Sequence, residues 1–118
     1  MGKTAALAVF RRHVGGLTSA GLTAVDLGKK EAIGGMAAEF LDRMGKWSGF
    51  RPSAAENIFR AMLDEAGAEV LYEHRLKEVR KDGTRITALV FENGNTIEAK
   101  MFVDATYEGD LFARAGVK

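Results

Sequence analysis

The hydrophobic period of the chain changes at Gly67, from the spacing of a helix to the spacing of a strand. Ahead of this glycine, apolar residues recur every three or four positions. On the C-terminal side of Gly67, Ile97, Ala99 and Met101 alternate with polar residues, as in a strand with one solvent-exposed face. A chain that carries both periods buries its apolar stripes by packing helices against a sheet, so the sequence predicts a mixed α/β fold.

Two segments predict the main helices. Met36 to Met44 places apolar side chains at helical spacing, and Gly45 follows as a stop signal. Pro52 suits the first position of a second helix, which ends before Gly67. The apolar stripe of this second helix consists of Ala55, Ile58, Phe59, Met62, Leu63 and Ala66. We assign the aromatic and methionine side chains at this spacing to the core.

Three short segments are expected to form a small, partly parallel sheet. Thr4 to Phe10 is an apolar run that suits a strand buried on both faces, although its alanines suit a helix equally well. Further strands are expected at Glu69–Tyr72 and at Phe102–Thr106, the segment that contains Val103. Asp110 to Ala115 predicts a final helical turn.

An antiparallel meander is predicted as a second layer. Arg75–Arg80 and Ile86–Phe91 read as strands, and the alternating segment around Ile97 is the third. The pairs Asp82-Gly83 and Asn93-Gly94 are turn signals that bracket the middle strand. These signals predict three consecutive strands joined by tight turns.

Composition excludes several classes of protein. The 118 residues, 47% of them hydrophobic, suit one domain that spans residues 1–118. With 17 basic and 16 acidic residues, the chain lacks the excess of positive charge that binds a nucleic acid or an anionic membrane. Without cysteine and with only two histidines, we expect no metal site. The run from Thr4 to Phe10 is too short to span a bilayer, and we expect a cytoplasmic location.

Fourteen glycines accompany a single proline, and many of the glycines lie early in the chain. The glycine-rich segment from Gly15 to Gly35, which opens with Gly15–Leu22, predicts a loop or a series of tight turns. Glycine permits positive φ and lets the main chain approach a ligand closely. From the residues alone, a structural turn without a ligand is the favoured interpretation.

Two stretches of the sequence resemble the family of FAD-dependent oxidoreductases, flavoproteins with two dinucleotide-binding domains. The first stretch is Arg12–Thr23, followed by Asp26 and Ile33-Gly34-Gly35, and the second is Phe102–Leu111, followed by Ala115-Gly116-Val117. Together with the helix end at Met62–Gly67, they cover most of the chain in the family's order. The resemblance implies a partial FAD/NAD(P)-binding, Rossmann-like domain with parallel strands, two main helices and the three-stranded meander.

The resemblance also implies a fragment, because the family opens with a strand, a G-x-G-x-x-G turn and a helix that receives the FAD pyrophosphate. Residues 2–9 resemble the family's second strand, and the position of its ribose-binding acid falls at Val9, which accepts no hydrogen bond. Residues 1–50 then hold this strand, the flavin-facing loop and a helix, and residues 51–118 hold the other helix, the meander and the second motif strand. We expect this chain alone to bind flavin weakly or not at all.

The resemblance places the flavin beside the glycine-rich segment and the end of the second motif strand. An isoalloxazine ring needs backbone amides at its edge and small residues along its face. The implied cofactor-binding residues are Arg12, His13, Gly15, Gly16, Leu17, Thr18, Ser19, Gly21, Ala105 and Thr106. No catalytic residue is identified. His13 is interpreted as a surface or hydrogen-bonded side chain, with a role at the flavin edge left open, and Glu108 and Asp110 as helix caps.

The function implied by the resemblance is hydride transfer between FAD and a small organic substrate that the sequence does not name. An alternative is a non-catalytic remnant or subunit that completes its fold with a partner chain, because an exposed edge of the first strand favours self-association. A third alternative is an open reading frame that begins upstream of Met1.

Overall fold

The computed structural model describes residues 2–21 and 28–117. Within these residues it has a mixed α/β fold with a parallel two-stranded sheet, an antiparallel three-stranded sheet and four α-helices. The elements are β1 (Ala6–Ala8), α1 (Gly16–Ala20), α2 (Gly35–Met44), α3 (Pro52–Glu65), β2 (Glu69–Leu71), β3 (Leu76–Asp82), β4 (Arg85–Phe91), β5 (Thr96–Glu98) and α4 (Asp110–Arg114). A single 3₁₀ turn at Lys30–Ala32 precedes α2. None of the described helices is both long and apolar enough to cross a bilayer.

The chain divides into two compact units. The first contains the N-terminal residues up to Leu7 together with Arg12–Val70, and the second contains Ala8–Arg11 together with the residues from Leu71 onward. The sheet of β1 and β2 confirms the expected strands at Thr4–Phe10 and Glu69–Tyr72, each of which is shorter than predicted. The expectation that the first strand is buried on both faces is wrong, because Ala6 and Ala8 are exposed and Leu7 is half-buried.

The core of the first unit lies between α2 and α3. Phe40, Leu41 and Ala55 are buried, and Ala55 is fully inaccessible. The Phe40 ring stacks on the Phe59 ring with centroids 4.3 Å apart, and it meets Phe50 edge-on at 5.9 Å. Partly buried side chains complete this cluster: Ile33, Met44, Trp47, Phe50, Ile58, Phe59 and Met62. The predicted stripes are confirmed in part, because Phe40, Leu41 and Met44 pack with residues of α3. Met36, Ala37 and Ala66, which were also assigned to these stripes, are exposed.

Both main helices end where their sequence signals predict. Pro52 occupies the first position of α3, where its missing N–H removes no intrahelical hydrogen bond. Gly67 follows that helix with φ 64°, and Gly45 follows α2 with φ 66°. Both glycines are in the left-handed region that a terminating helix favours.

A loop or series of turns was expected from Gly15 to Gly35, and this expectation is wrong for Gly16–Ala20, which forms the short helix α1. The 3₁₀ turn at Lys30–Ala32 agrees with the expected turns. Gly15 precedes the helix with φ 98° and Gly21 follows it with φ 76°. Gly16, the first residue of α1, also has positive φ, 56°, and Leu17–Ala20 continue the helix. Leu22, Thr23 and Asp26, which contribute to the family resemblance, lie outside the described residues.

The meander of the second unit is confirmed. Strand β3 pairs antiparallel with β4 from Leu76 opposite Phe91 to Asp82 opposite Arg85, and β5 adds to the other side of β4. The register shifts twice along β3, which is typical of β-bulges. The predicted turns at residues 82–83 and 93–94 lie at the two strand reversals.

The strand expected at Phe102–Thr106 is not formed, so the parallel sheet has two strands among the described residues rather than three. Val103, in the segment expected to form that strand, is 85% exposed. The Asp104 carboxylate instead accepts hydrogen bonds from the N–H and the hydroxyl of Thr106. Such local bonds offer the backbone an alternative to a sheet ladder, which explains why the strand propensity of this segment did not decide its structure.

The final helical turn is confirmed as α4, but its expected caps are wrong. Glu108 makes no hydrogen bond to the helix, and the Asp110 side chain pairs with Arg114 at 2.6 Å. Asp104 accepts the N–H of Phe112 at 2.8 Å, and the Thr106 hydroxyl accepts the N–H of Asp110 at 2.8 Å. The orphan amides of this helix are therefore satisfied from the loop that precedes it.

Lys81 ties the other end of α4 to the meander, because its Nζ donates to the carbonyl of Ala115 at 2.5 Å. A cation is favourable at a helix C-terminus. We expect Lys81→Met to lower the free energy of unfolding by about 1 kcal/mol, the usual worth of one such bond. Urea denaturation followed by circular dichroism measures this loss. Lys77→Met on the same strand is the control and should leave stability unchanged.

Candidate functional site

The predicted cofactor-binding residues fall into two groups, one in each unit. Eight lie between Arg12 and Gly21 in the first unit, and Ala105 and Thr106 lie in the second. The local surroundings of the two groups differ.

The glycine-rich segment lies against one face of α3. Pro52, Glu56 and Phe59 share that face, because they are separated by four and three residues on a helix. A Cβ atom at Gly15 would lie 2.3 Å from Cδ2 of Phe59, and one at Gly21 would lie 3.1 Å from Cγ of Pro52. Packing against α3 therefore explains why these two positions need glycine.

The opposite face of the segment is open. Gly16, Leu17 and Ala20 are exposed, and Thr18 and Ser19 are half-buried. No side chain caps the first turn of α1. The buried side of the segment is held by Val14, which is only 2% exposed and whose carbonyl accepts a hydrogen bond from the Ser19 hydroxyl. The exposed surface of α1 thus has two small residues, Gly16 and Ala20, beside the larger Leu17.

His13 has a carboxylate partner that the sequence interpretation missed. Its Nδ1 lies 2.9 Å from Oε2 of Glu56, which is 43 positions further along the chain. Arg60 donates to the other oxygen of this carboxylate, with Nη2 at 2.7 Å and Nε at 3.1 Å, and also to the Arg12 carbonyl at 3.1 Å. The hydrogen bonds from Arg60 and then from His13 lower the pKa of Glu56. Glu56 therefore stays ionised, with both oxygens occupied.

The Glu56–Arg60 half of this network has a sequence signal, because glutamate four residues ahead of arginine is a favourable pair on a helix. The His13–Glu56 half has none, since it depends on how the glycine segment folds back onto α3. The burial of the two partners differs: the Glu56 side chain is 13% exposed and the His13 side chain is 71% exposed.

In the second unit, the Thr106 hydroxyl is hydrogen-bonded to residues that are close in sequence. Its hydroxyl donates to Asp104 Oδ1 at 2.7 Å and accepts from the N–H of Asp110 at 2.8 Å. The N–H of Phe112, followed by the N–H and hydroxyl of Thr106, lowers the pKa of Asp104. Ala105 is exposed. Asp104 is the residue that organises this group, although it was not among those predicted.

A shallow cavity of about 390 Å³ lies elsewhere in the second unit, on the meander. It is lined by Asp82, Arg85, Thr87, Glu98, Ala99 and Lys100, all of them exposed. Its charges alternate in sign, and it contains none of the predicted residues. The described residues also contain no group of three or more side chains able to hold a metal ion.

The fold is consistent with a partial FAD-binding domain of an oxidoreductase. The family described as FAD dependent oxidoreductase matches residues 1–118, which is the whole chain. The chain therefore belongs to the FAD-dependent oxidoreductase family. No curated protein and no solved structure matches it.

The family implies FAD, and the residues fit one part of that cofactor. The first turn of α1 has no side-chain cap, and Gly16, Leu17 and Ala20 are exposed beside it, which suits the polar edge and flat face of an isoalloxazine ring. The sequence contains no G-x-G-x-x-G, the turn that brings a helix N-terminus to the pyrophosphate. The fit is therefore to the ring and not to the diphosphate.

Proposed function

We propose that this chain supplies the flavin-facing surface of an oxidoreductase that transfers hydride between FAD and a small organic substrate. Two observations support this function: the family match over the whole chain, and the exposure of the glycine segment on a rigid helix. The residues proposed to contact the cofactor are Arg12, His13, Gly15, Gly16, Leu17, Thr18, Ser19 and Gly21, with Ala105 and Thr106 as separate candidates.

The residues of this chain would bind and orient the ring. Bound flavin supplies the chemistry of hydride transfer, and the protein contributes position and electrostatics. Packing of Gly15 on Phe59 and of Gly21 on Pro52 holds α1 in place, so its outward face is presented without reorganisation. A surface that is already fixed before binding loses less entropy when the ligand arrives.

Weak binding is expected for the chain by itself, because no G-x-G-x-x-G holds the diphosphate and Val9 accepts no bond from the ribose. Titration with excess FAD, followed by amide resonances, tests the proposal. Signals from Gly16–Ala20 should move, while those of the meander turns at Gly83 and Gly94 should not. Stoichiometric FAD retained after desalting would contradict the expectation of weak binding.

A variant on the open face sharpens this test. We expect Leu17→Glu to weaken FAD binding about tenfold, equivalent to about 1.4 kcal/mol, because it places charge and bulk where the ring would lie. Leu17 is 51% exposed, so folding should survive the change. Met36→Glu, at a position that is 76% exposed on α2, is the matched control. Equal affinity in the two variants would place the flavin elsewhere.

A second candidate function is a subunit that completes its fold with another chain, including a second copy of itself. It is supported by the two-stranded sheet, in which β1 and β2 pair only with each other among the described residues. Each strand therefore has one unpaired edge, and such edges template further pairing. Size-exclusion chromatography with light scattering tests this: a monomer at every concentration would eliminate the self-associating form.

A further inference from the structure

The hydrogen bond between His13 and Glu56 fixes the state of the imidazole ring. A carboxylate can only accept, so the 2.9 Å contact requires that Nδ1 of His13 carries the proton. In a neutral ring, Nε2 then holds a lone pair. This nitrogen has no hydrogen-bond partner among the described residues, and the side chain is 71% exposed. His13 therefore presents a proton acceptor to whatever binds at this surface.

Glu56 is well placed to hold that ring. It is the fifth residue of the 14-residue helix α3, next to the fully buried Ala55. Arg60 occupies its other oxygen, which leaves one direction for the bond to His13. When Nε2 takes up a proton, the ionised carboxylate faces the imidazolium that forms. A histidine oriented by a carboxylate is the arrangement that general bases use in unrelated enzymes.

The histidine also lies on the surface proposed for the flavin. His13 contacts α3 at Glu56, one turn from Pro52 and one turn from Phe59, which contact the two ends of the glycine segment. The imidazole and α1 thus share one face of one helix. This juxtaposition is independent of the orientation of the second unit.

We propose that His13 Nε2 is the catalytic base of this site, that Glu56 is its positioning residue, and that the substrate is an alcohol. The proposal rests on the function proposed above. The O–H proton of the alcohol goes to Nε2, the C–H hydrogen leaves with its electron pair as hydride to oxidised flavin, and the carbon and oxygen form a carbonyl double bond. The alcohol loses two electrons and the flavin gains them.

An alcohol is the substrate class that needs this base. Hydride loss from a carbinol carbon leaves a protonated carbonyl unless the O–H proton departs, so a nearby acceptor lowers the barrier. A neutral amine has a nitrogen lone pair that can expel hydride without prior deprotonation. The lone pair of an exposed imidazole therefore suits an O–H substrate, whose proton has to leave together with the hydride.

The first test reads the ring tautomer in the whole chain from nitrogen chemical shifts of the two histidines. His74 is an internal reference, because its Nδ1 lies 2.6 Å from the Tyr72 carbonyl and its Nε2 lies 2.9 Å from Asn95 Nδ2. We expect both rings to carry the neutral proton on Nδ1. An Nε2–H tautomer for His13 would overturn the proposal.

Glu56→Gln should reverse the tautomer of His13. Arg60 keeps the side-chain oxygen at position 56, so the new amide group turns its NH₂ toward Nδ1 and the ring proton moves to Nε2. The matched control is Glu39→Gln, which alters another i,i+4 pair with an arginine, Arg43, without a histidine. If the contact between Glu56 and His13 were only a structural ion pair, both variants would be less stable and neither would change the tautomer of His13. That result would refute the positioning role of Glu56.

Excess FAD separates this proposal from the function on which it rests. We expect the His13 Nε2 resonance and the amide resonances of Gly16–Ala20 to shift together. If the amides shift and His13 does not, the flavin surface stands and the base assignment fails. If neither shifts, the flavin surface itself fails, and the role of His13 fails with it.

Discussion

Replacing Gly15 with alanine is expected to lower the free energy of unfolding by about 3 kcal/mol, from overpacking together with a left-handed backbone. The added Cβ would lie 2.3 Å and 2.6 Å from two carbons of the Phe59 ring and 2.8 Å from the Ser19 hydroxyl. Phe59 cannot move freely, because it stacks on the buried Phe40 at 4.3 Å. Urea denaturation followed by far-ultraviolet circular dichroism measures the loss.

Gly45→Ala is the control that separates backbone strain from the clash. Gly45 also has positive φ, 66°, but no heavy atom lies within 4 Å of its added Cβ. We expect it to lose only about 1 kcal/mol, the backbone contribution. Equal losses in the two variants would show that packing against Phe59 does not explain Gly15.

Gly15 also shows why a glycine pattern is ambiguous from sequence. A glycine that allows a ligand to approach and a glycine that allows a neighbouring helix to approach have the same sequence signal. Packing on α3 accounts for Gly15 and Gly21, and exposed Gly16 has a positive φ of 56°, which also favours glycine. All three glycines therefore have a structural explanation, and the glycine pattern by itself does not reveal a cofactor.

The helices and the meander could be predicted because their signals are local. Pro52 and Gly67 mark the limits of α3, and the two turn dipeptides delimit β4 within one or two residues. Their apolar faces bury against neighbours close in sequence. Local propensity and final packing therefore agree in these elements.

The strand at Phe102–Thr106 could not be predicted correctly from its apolar and β-branched residues. Whether such a run pairs in a sheet depends on the availability of a distant partner, and here Asp104 and Thr106 bond locally instead. The His13–Glu56 pair could not be predicted from the sequence for a related reason. Its two residues meet only after the glycine segment has packed on α3. The family resemblance therefore indicates His13 as a site residue, whereas only the structure shows that Glu56 is its partner.

Asp104→Ala is expected to lower the free energy of unfolding by about 2 kcal/mol, because it removes a charged cap from a helix terminus. Its carboxylate accepts from the N–H of Phe112 at 2.8 Å and from the N–H and hydroxyl of Thr106 at 2.9 Å and 2.7 Å. Without it, the loop and the start of α4 lose their shared acceptor. Amide hydrogen exchange at Phe112, combined with urea denaturation, locates and measures the effect.

Glu108→Ala is the matched control, since it removes a carboxylate from the same loop that makes no hydrogen bond to the helix. The pH dependence adds a second criterion. Hydrogen bonds lower the pKa of Asp104 in the folded chain, so its contribution to stability is complete above the ordinary carboxyl pKa and is lost as the pH falls through the folded-state value. The stability difference between the parent chain and Asp104→Ala should therefore be constant near neutrality and shrink below about pH 4. A difference that persists unchanged in acid would mean that the ionised carboxylate is not the cap.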